Sequence, residues 1–239
     1  MIRRPFGANG PPVPVVGIGT WQMEEDSPAA AVRAIRASLD AGATHVDTAE
    51  MYGGGRVEKI VGDAIEGRRD EVFLVSKVLP DNASFDGTIR ACDASLRRLR
   101  TDHLDCYLLH WPGETPLRET LRAFARLKKD GKILSFGVSN FDEEELAEAV
   151  RLAEPNAIVC NQVLYHLEER AIEHAVIPFC EKNGIAVVAY SPFGSRGGFP
   201  AESGRGGKAL ATVAAKHGAT PRQIALAWLP RYDSMFVIP

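Results

Sequence analysis

The sequence predicts a (β/α)8 barrel. Three observations carry that expectation. Eight short apolar runs alternate with amphipathic segments, several runs are apolar on consecutive positions, and helix-start and helix-stop signals fall between them. Consecutive apolar residues, as in Val72-Phe73-Leu74-Val75, suit strands covered on both faces, as in parallel sheets.

Residues 1–15 precede the barrel, and the turn-former Asn9-Gly10 predicts a hairpin closing its floor. The first barrel strand is expected at 16–20. Ser27-Pro28 then reads as an N-cap followed by Pro at the first helical position. Strands follow at 44–48 and 72–78. Ile89, Cys92, Leu96 and Leu99 share one helical face, and so do Leu117, Leu121, Phe124 and Leu127, on either side of a strand at 104–110. The fifth strand is expected at 133–139. Asp142 with Glu145 caps the next helix, and strands six and seven are placed at 157–163 and 185–191. The Gly-rich stretch 194–207 is the one long loop. It is expected on the rim where barrel active sites sit, as a mobile cover for a ligand. Thr220-Pro221-Arg222-Gln223 is a capping box with Pro at N1, and the last strand is expected at 235–239. Gly42, Gly131, Gly184 and Gly218 stand where helices should stop. The whole chain, 1–239, thus reads as one barrel domain with seven intervening helical segments and no linker. A Rossmann fold is the alternative. It wants G-x-G-x-x-G after the first strand, and Gly17-Ile18-Gly19-Thr20-Trp21-Gln22 lacks the third glycine.

Composition narrows the function. At 45% hydrophobic and 25% charged, the chain is an ordinary globular one. A formal net charge of −3 argues against a nucleic-acid partner. No run is long and apolar enough to span a bilayer, so no membrane partner is expected. Met1-Ile2-Arg3-Arg4-Pro5-Phe6 is basic but leads into no apolar core, so no signal peptide is read. Cys92, Cys106, Cys160 and Cys180 form no C-x-x-C pair and are expected as buried, reduced thiols of a cytoplasmic protein. Nothing demands a dimer, and a monomer is the expectation.

Four ionisable residues carry the chemistry. Asp47, Lys77 and His110 fall at the ends of the second, third and fourth strands, and Tyr52 lies just past the second. In a barrel those ends form one rim, and adjacent strands lie about 5 Å apart. A phenol with a pKa of about 10 is a poor proton donor at neutral pH. A nearby Lys77 ammonium is expected to lower that pKa, with Asp47 holding the ammonium and His110 orienting a carbonyl oxygen. The constellation suits carbonyl reduction. Gly53-Gly54-Gly55 is not followed by G-K-[ST], so it reads as a turn beside Tyr52 rather than a phosphate loop. A metal-dependent hydrolase would need ligand-like His and carboxylate pairs, and His45, His103, His166, His174 and His217 form none.

At these residues the chain resembles the aldo-keto reductases, over nearly its whole length from Gly17-Ile18-Gly19-Thr20-Trp21. The motifs that carry the resemblance are Asp47-Thr48-Ala49-Glu50-Met51-Tyr52-Gly53, Val75-Ser76-Lys77, Leu108-Leu109-His110-Trp111-Pro112, Gly137-Val138-Ser139-Asn140-Phe141, Asn161-Gln162 and Ala189-Tyr190-Ser191-Pro192. Within the family, the bacterial methylglyoxal and diketogluconate reductase-like members are a looser match. The resemblance implies a tetrad of Asp47, Tyr52, Lys77 and His110, with Tyr52 as general acid. It implies NADPH as hydride donor, with NADH left open, and a small-molecule carbonyl substrate. It further implies that Ser139, Asn140 and Gln162 hold the nicotinamide carboxamide, that Tyr190 stacks on the ring and that Ser191 meets the pyrophosphate. Trp21 and Trp111 would line the substrate pocket. In the family a basic segment for the 2′-phosphate, an eighth helix and a tail follow the Ile-Pro found here at Ile238-Pro239. The chain is therefore expected to be C-terminally incomplete, with the outer face of its last strand exposed. A nucleotide-binding barrel serving as a sensor or partner subunit, without turnover, stays open beside the enzyme.

Overall fold

The computed structural model describes residues 1–194, 199 and 204–239. It opens with an antiparallel hairpin, β1 (Arg3–Pro5) and β2 (Pro12–Pro14). Eight parallel strands follow: β3 (Ile18–Gly19), β4 (His45–Asp47), β5 (Phe73–Val78), β6 (Leu104–Leu109), β7 (Ile133–Ser139), β8 (Ile158–Leu164), β9 (Ala186–Tyr190) and β10 (Met235–Ile238). They pair in chain order from β3 to β10. Backbone hydrogen bonds join the two ends of the row. Gly17 N donates to Val237 O at 2.8 Å, Val237 N to Val15 O at 2.8 Å, and Gly19 N to Pro239 O at 2.9 Å. Among the described residues, these bonds close the eight-stranded sheet on itself.

The connecting helices are α1 (Pro28–Asp40), α2 (Arg56–Ile65), α3 (Phe85–Leu99), α4 (Leu117–Lys129), α5 (Glu143–Leu152), α6 (Val176–Lys182), α7 (Arg205–Lys216) and α8 (Pro221–Trp228). The expected starts are present. Ser27 accepts from Ala30 N, and Asp142 with Glu145 and Thr220 with Gln223 form reciprocal capping boxes. The last connection holds two helices, α7 and α8, on either side of the stop read at Gly218 and the start read at Thr220, so the described helices exceed the seven expected segments by one. The proposed loop cover at 194–207 lies largely outside the described residues, and its last three residues belong to α7.

Side chains alternate between two cores. Those facing outward pack against the helices. Those facing inward fill the barrel: Phe73, Val75, Cys106, Leu108, Cys160, Ala186, Val188, Phe236 and Ile238, with Phe6 from the hairpin. The Phe6 ring sits 4.7 Å from that of Phe73 and 5.0 Å from that of Phe236. The hairpin therefore closes the floor, as the sequence suggests. Its turn is longer than Asn9-Gly10, running over residues 6–11 between the paired Pro5 and Pro12, with Phe6 N donating to Pro11 O at 3.0 Å.

Small residues are demanded where the interior is tightest. A Cβ at Gly137 would lie 2.5 Å from the Cys160 carbonyl oxygen and 2.8 Å from its sulfur. Gly137→Ala is expected to lower stability by about 1–3 kcal/mol through overpacking, read as a lower urea midpoint with unchanged slope. All four cysteines are free and buried.

The last strand corrects an expectation. Its outward residues Met235 and Val237 are fully buried, not exposed. The chain after α8 folds back over β10, and Leu226, Trp228 and Leu229 join the same core cluster. Sequence reading looked for a cover after the strand, whereas the segment before it supplies one.

Candidate active site

The period of two along each strand explains why polar groups collect at one end. Inward positions run from His45 to Asp47 on β4, Val75 to Lys77 on β5, and Leu108 to His110 on and just past β6. Further round they run from Gly137 to Ser139 on β7, Cys160 to Gln162 on β8, and Val188 to Tyr190 on β9. Each column is apolar or small near the floor, His45 excepted, and polar at the C-terminal rim. Tyr52 reaches the same rim from the turn after β4. That turn needs left-handed backbone at Gly53, Gly54 and Gly55 (φ 56°, 63° and 84°) to swing into α2. Only glycine adopts three such conformations in a row without strain.

The four predicted residues meet. Lys77 Nζ donates to Asp47 Oδ1 at 2.5 Å, to Tyr52 Oη at 3.0 Å and to the Thr48 carbonyl at 3.0 Å. Gln162 Nε2 donates to the other Asp47 oxygen at 2.8 Å. The His110 ring stands edge-on to the Tyr52 ring at 5.8 Å. Lys77 and Asp47 are fully buried. A buried ion pair persists only when its remaining donors and acceptors are satisfied, and here Nζ has three acceptors while Asp47 has two donors.

Burial works against charge throughout this site. It pushes the Asp47 carboxyl above its usual range, with the Lys77 and Gln162 contacts acting against the push. It acts against the Lys77 ammonium as well, but Asp47 and Tyr52 outweigh it and hold that pKa above the usual value. The charged pair is the state this hydrogen-bond set favours. Tyr52 departs from the sequence expectation. Its pKa is raised, not lowered, because burial outweighs the pull of Lys77 and the Asp47 charge offsets part of that pull. The phenol is thus fully protonated at neutral pH, with a cation in place for the phenolate. His110 is pushed down to about 3, first by burial and then by Lys77. It is a neutral imidazole with one N–H. Its Nδ1 is buried without a partner among the described residues.

His45, two positions below Asp47, is pushed down to about 3 for the same two reasons. It sits among Phe6, Phe73 and Phe236. Both histidines bind a proton more tightly unfolded than folded, so stability falls as pH drops from about 6.5 towards about 3. Each contributes a loss of about 2 kcal/mol between pH 7 and pH 5. His45→Phe is expected to remove about half of that acid sensitivity, measured by urea unfolding at the two pH values.

A cleft of about 360 Å³ opens onto this rim. Every residue expected in the site except fully buried Lys77 lines it: Asp47, Tyr52, His110, Ser139, Asn140, Gln162, Tyr190 and Ser191, with Trp21 and Trp111 at the mouth. Its far wall is a hydrogen-bonded belt. Tyr190 Oη donates to Asn140 Oδ1 at 2.8 Å, Asn140 Nδ2 to the His110 carbonyl at 3.0 Å, and Ser139 Oγ to the Gln162 carbonyl at 2.9 Å. Asn140 and Ser191 hold left-handed backbones (φ 61° and 49°), a strained state that clusters at functional sites. Met51, Ile238 and Pro239 also line the cleft. Sequence reading missed them, although the position of Met51 directly before Tyr52 marked it. The described residues contain no cluster of metal-ligating groups, and no helix there is long and apolar enough to cross a membrane.

The chain is similar to known proteins in sequence and in fold. Methylglyoxal reductase YeaE of Escherichia coli (strain K12) is 44% identical over 230 residues, covering 95% of this chain and 80% of that protein. Glyoxal reductase of Bacillus subtilis (strain 168) is 34% identical, covering 92% and 76% respectively. The crystal structure of an aldo/keto reductase from Klebsiella pneumoniae in complex with NADP and acetate superposes with a TM-score of 0.93 at 41% identity. The match covers all of this chain and 85% of that one. The sequence pattern of the Aldo/keto reductase family matches residues 15–239. A closed barrel with an acid, a phenol, an ammonium and an imidazole on its C-terminal rim is what that match spans, and the chain belongs to the aldo/keto reductase family.

Proposed function

We propose that this protein reduces aldehydes and ketones, small 2-oxoaldehydes among them, with a hydride from NADPH and a proton from Tyr52. The observation that carries the reading is the 3.0 Å contact between Lys77 Nζ and Tyr52 Oη at the base of an open cleft. The names of the two reductase relatives and the NADP in the Klebsiella structure support the substrate and cofactor classes.

The cleft residues fit a nicotinamide. A volume of about 360 Å³ is within the range of small-ligand pockets. Gln162 commits its amide N–H to Asp47, and its side-chain oxygen makes no hydrogen bond among the described residues, leaving an acceptor for a carboxamide N–H. Ser139 and Asn140 would complete that contact, Tyr190 would cover the ring, and Ser191 would lie along the phosphates. When bound, NADPH supplies the hydride. The chain itself does the rest. The neutral His110 donates its N–H to the carbonyl oxygen and fixes its direction. As the carbonyl carbon gains the hydride, its oxygen takes the Tyr52 proton, giving the alcohol. The phenolate that remains faces Lys77, held charged by Asp47, and regains its proton from water. Both partners of the pair are in place beforehand, so little reorganisation is needed during the step.

The test is NADPH oxidation followed with a panel of aldehydes including methylglyoxal, alongside nucleotide binding by tryptophan fluorescence. Saturable oxidation with alcohol product is expected. Binding without oxidation across the panel would replace the enzyme with a sensor.

A further inference from the structure

We propose that Glu50 is a positioning residue that sets the Trp111 wall of the substrate cleft. The inference rests on the carbonyl-reduction reading of the site.

Glu50 stands between the tetrad and a turn that no catalytic residue occupies. Its backbone N–H donates to the carbonyl of Lys77 at 3.4 Å, so its main chain is tied to the tetrad strand. Its side chain reaches the other way. Glu50 Oε1 accepts from Leu79 N at 2.7 Å and from Asn82 Nδ2 at 3.0 Å. Those two donors lie at either end of the short turn that leads from β5 into α3. The turn is closed by Asn82 N to Leu79 O at 2.9 Å and Ala83 N to Pro80 O at 3.0 Å. One carboxylate oxygen thus clamps both ends of it, and charge-assisted bonds of this kind are the stronger ones.

The turn in turn supports the loop that carries Trp111. Pro80 is buried, and a Cβ built on Gly113 would lie 2.5 Å from the Pro80 Cβ, so these two residues touch with no space between them. Thr120 at the start of α4 locks the same turn from the far side by donating to the Ala83 carbonyl at 2.7 Å. Gly113 is two residues past Trp111, whose ring packs at 4.7 Å on His110 and faces the cleft. The contacts run from Glu50 through Pro80 and Gly113 to Trp111. Displacing the turn shifts a wall of the substrate cleft, while the bonds of Lys77 to Asp47 and Tyr52 and those of the belt on β7 to β9 involve no atom of the turn.

This role differs from mere structural support in what it changes. Moving the Trp111 wall alters binding of substrates large enough to touch it and spares smaller ones. The measurement is kcat and KM for an aromatic aldehyde and for methylglyoxal, with Kd for NADPH and a thermal unfolding scan. It uses the unsubstituted protein, Glu50→Ala, Glu50→Gln and Gly113→Ala. In Glu50→Ala the KM for the aromatic aldehyde is expected to change by about tenfold relative to that for methylglyoxal, as loss of two bonds to a charged acceptor allows. Here kcat for methylglyoxal and Kd for NADPH stay within about twofold. Glu50→Gln keeps a side-chain oxygen that accepts from both donors and is expected to restore the original ratio. Gly113→Ala pushes on Pro80 from the opposite side and is expected to change the ratio in a protein with Glu50 intact. It decides the matter even should Glu50→Ala fail to fold. An unchanged ratio in Gly113→Ala, or in folded Glu50→Ala, overturns the inference while leaving carbonyl reduction standing. Absence of turnover in the unsubstituted protein removes the reduction reading, and this one with it.

Discussion

Tyr52→Phe is expected to lower kcat for carbonyl reduction by about 10²–10⁴-fold, the usual range for loss of a general acid. The Kd for NADPH should stay within about twofold of the unsubstituted value. The substitution removes one oxygen and keeps the ring. The edge-on contact with His110 at 5.8 Å and the cation–ring contact with Lys77 at 4.8 Å both involve that ring and survive. The oxygen lost is the one Lys77 Nζ touches at 3.0 Å, and Nζ keeps Asp47 and the Thr48 carbonyl as acceptors. Folding is therefore little disturbed. Water in the vacated space is a weaker proton donor and is not held against the cation. Because the buried phenol has a raised pKa, activity of the unsubstituted protein should not fall for want of a proton as pH rises through the neutral range.

Lys77→Met is expected to act on stability and activity together. Removing the ammonium leaves Asp47 as an uncompensated carboxylate, fully buried among Thr48, Gln162 and the barrel interior. Breaking one side of such a pair destabilises by about 3–5 kcal/mol, to be read from urea unfolding at pH 7. The same change removes the charge opposite the forming phenolate, and kcat should fall by about 10²–10³-fold. A double variant separates the two effects. Asp47→Asn with Lys77→Met removes both charges and should recover much of the stability, since a neutral pair of similar volume carries little desolvation penalty. It should recover none of the rate. Recovery of both would mean that Lys77 supports the fold and plays no part in proton transfer.

The barrel was legible because its strands are buried on both faces and its helices are capped by residues with specific donors and acceptors. Asp142 with Glu145 and Thr220 with Gln223 form the hydrogen bonds their spacing implies. The tetrad was legible for a related reason. Strand ends can be read from apolar runs, and strand ends in a barrel converge. What could not be read depends on distances between segments far apart in sequence. The Gln162 contact with Asp47 spans 115 residues and has no local signature. The direction of the Tyr52 pKa turns on how far the ring is buried, which the sequence does not state, whereas the nearby Lys77 charge, which it does suggest, pulls the other way. The cover over β10 was sought after the strand because barrels usually place a helix there, while Leu229 before it does the covering. Nothing local marks the role of Glu50, since its partners Leu79 and Asn82 lie across a strand and turn.

The central claim is that the phenolic proton of Tyr52, beside Lys77, completes the reduction. Steady-state rates can hide that step behind product release, so a single turnover tests it most directly. Protein preloaded with NADPH is mixed with excess methylglyoxal, and nucleotide absorbance is followed for the unsubstituted chain and Tyr52→Phe side by side. Rapid decay is expected in the first and a rate constant lower by about 10²–10⁴-fold in the second, at equal nucleotide occupancy. Decay of Tyr52→Phe at the unsubstituted rate would contradict it.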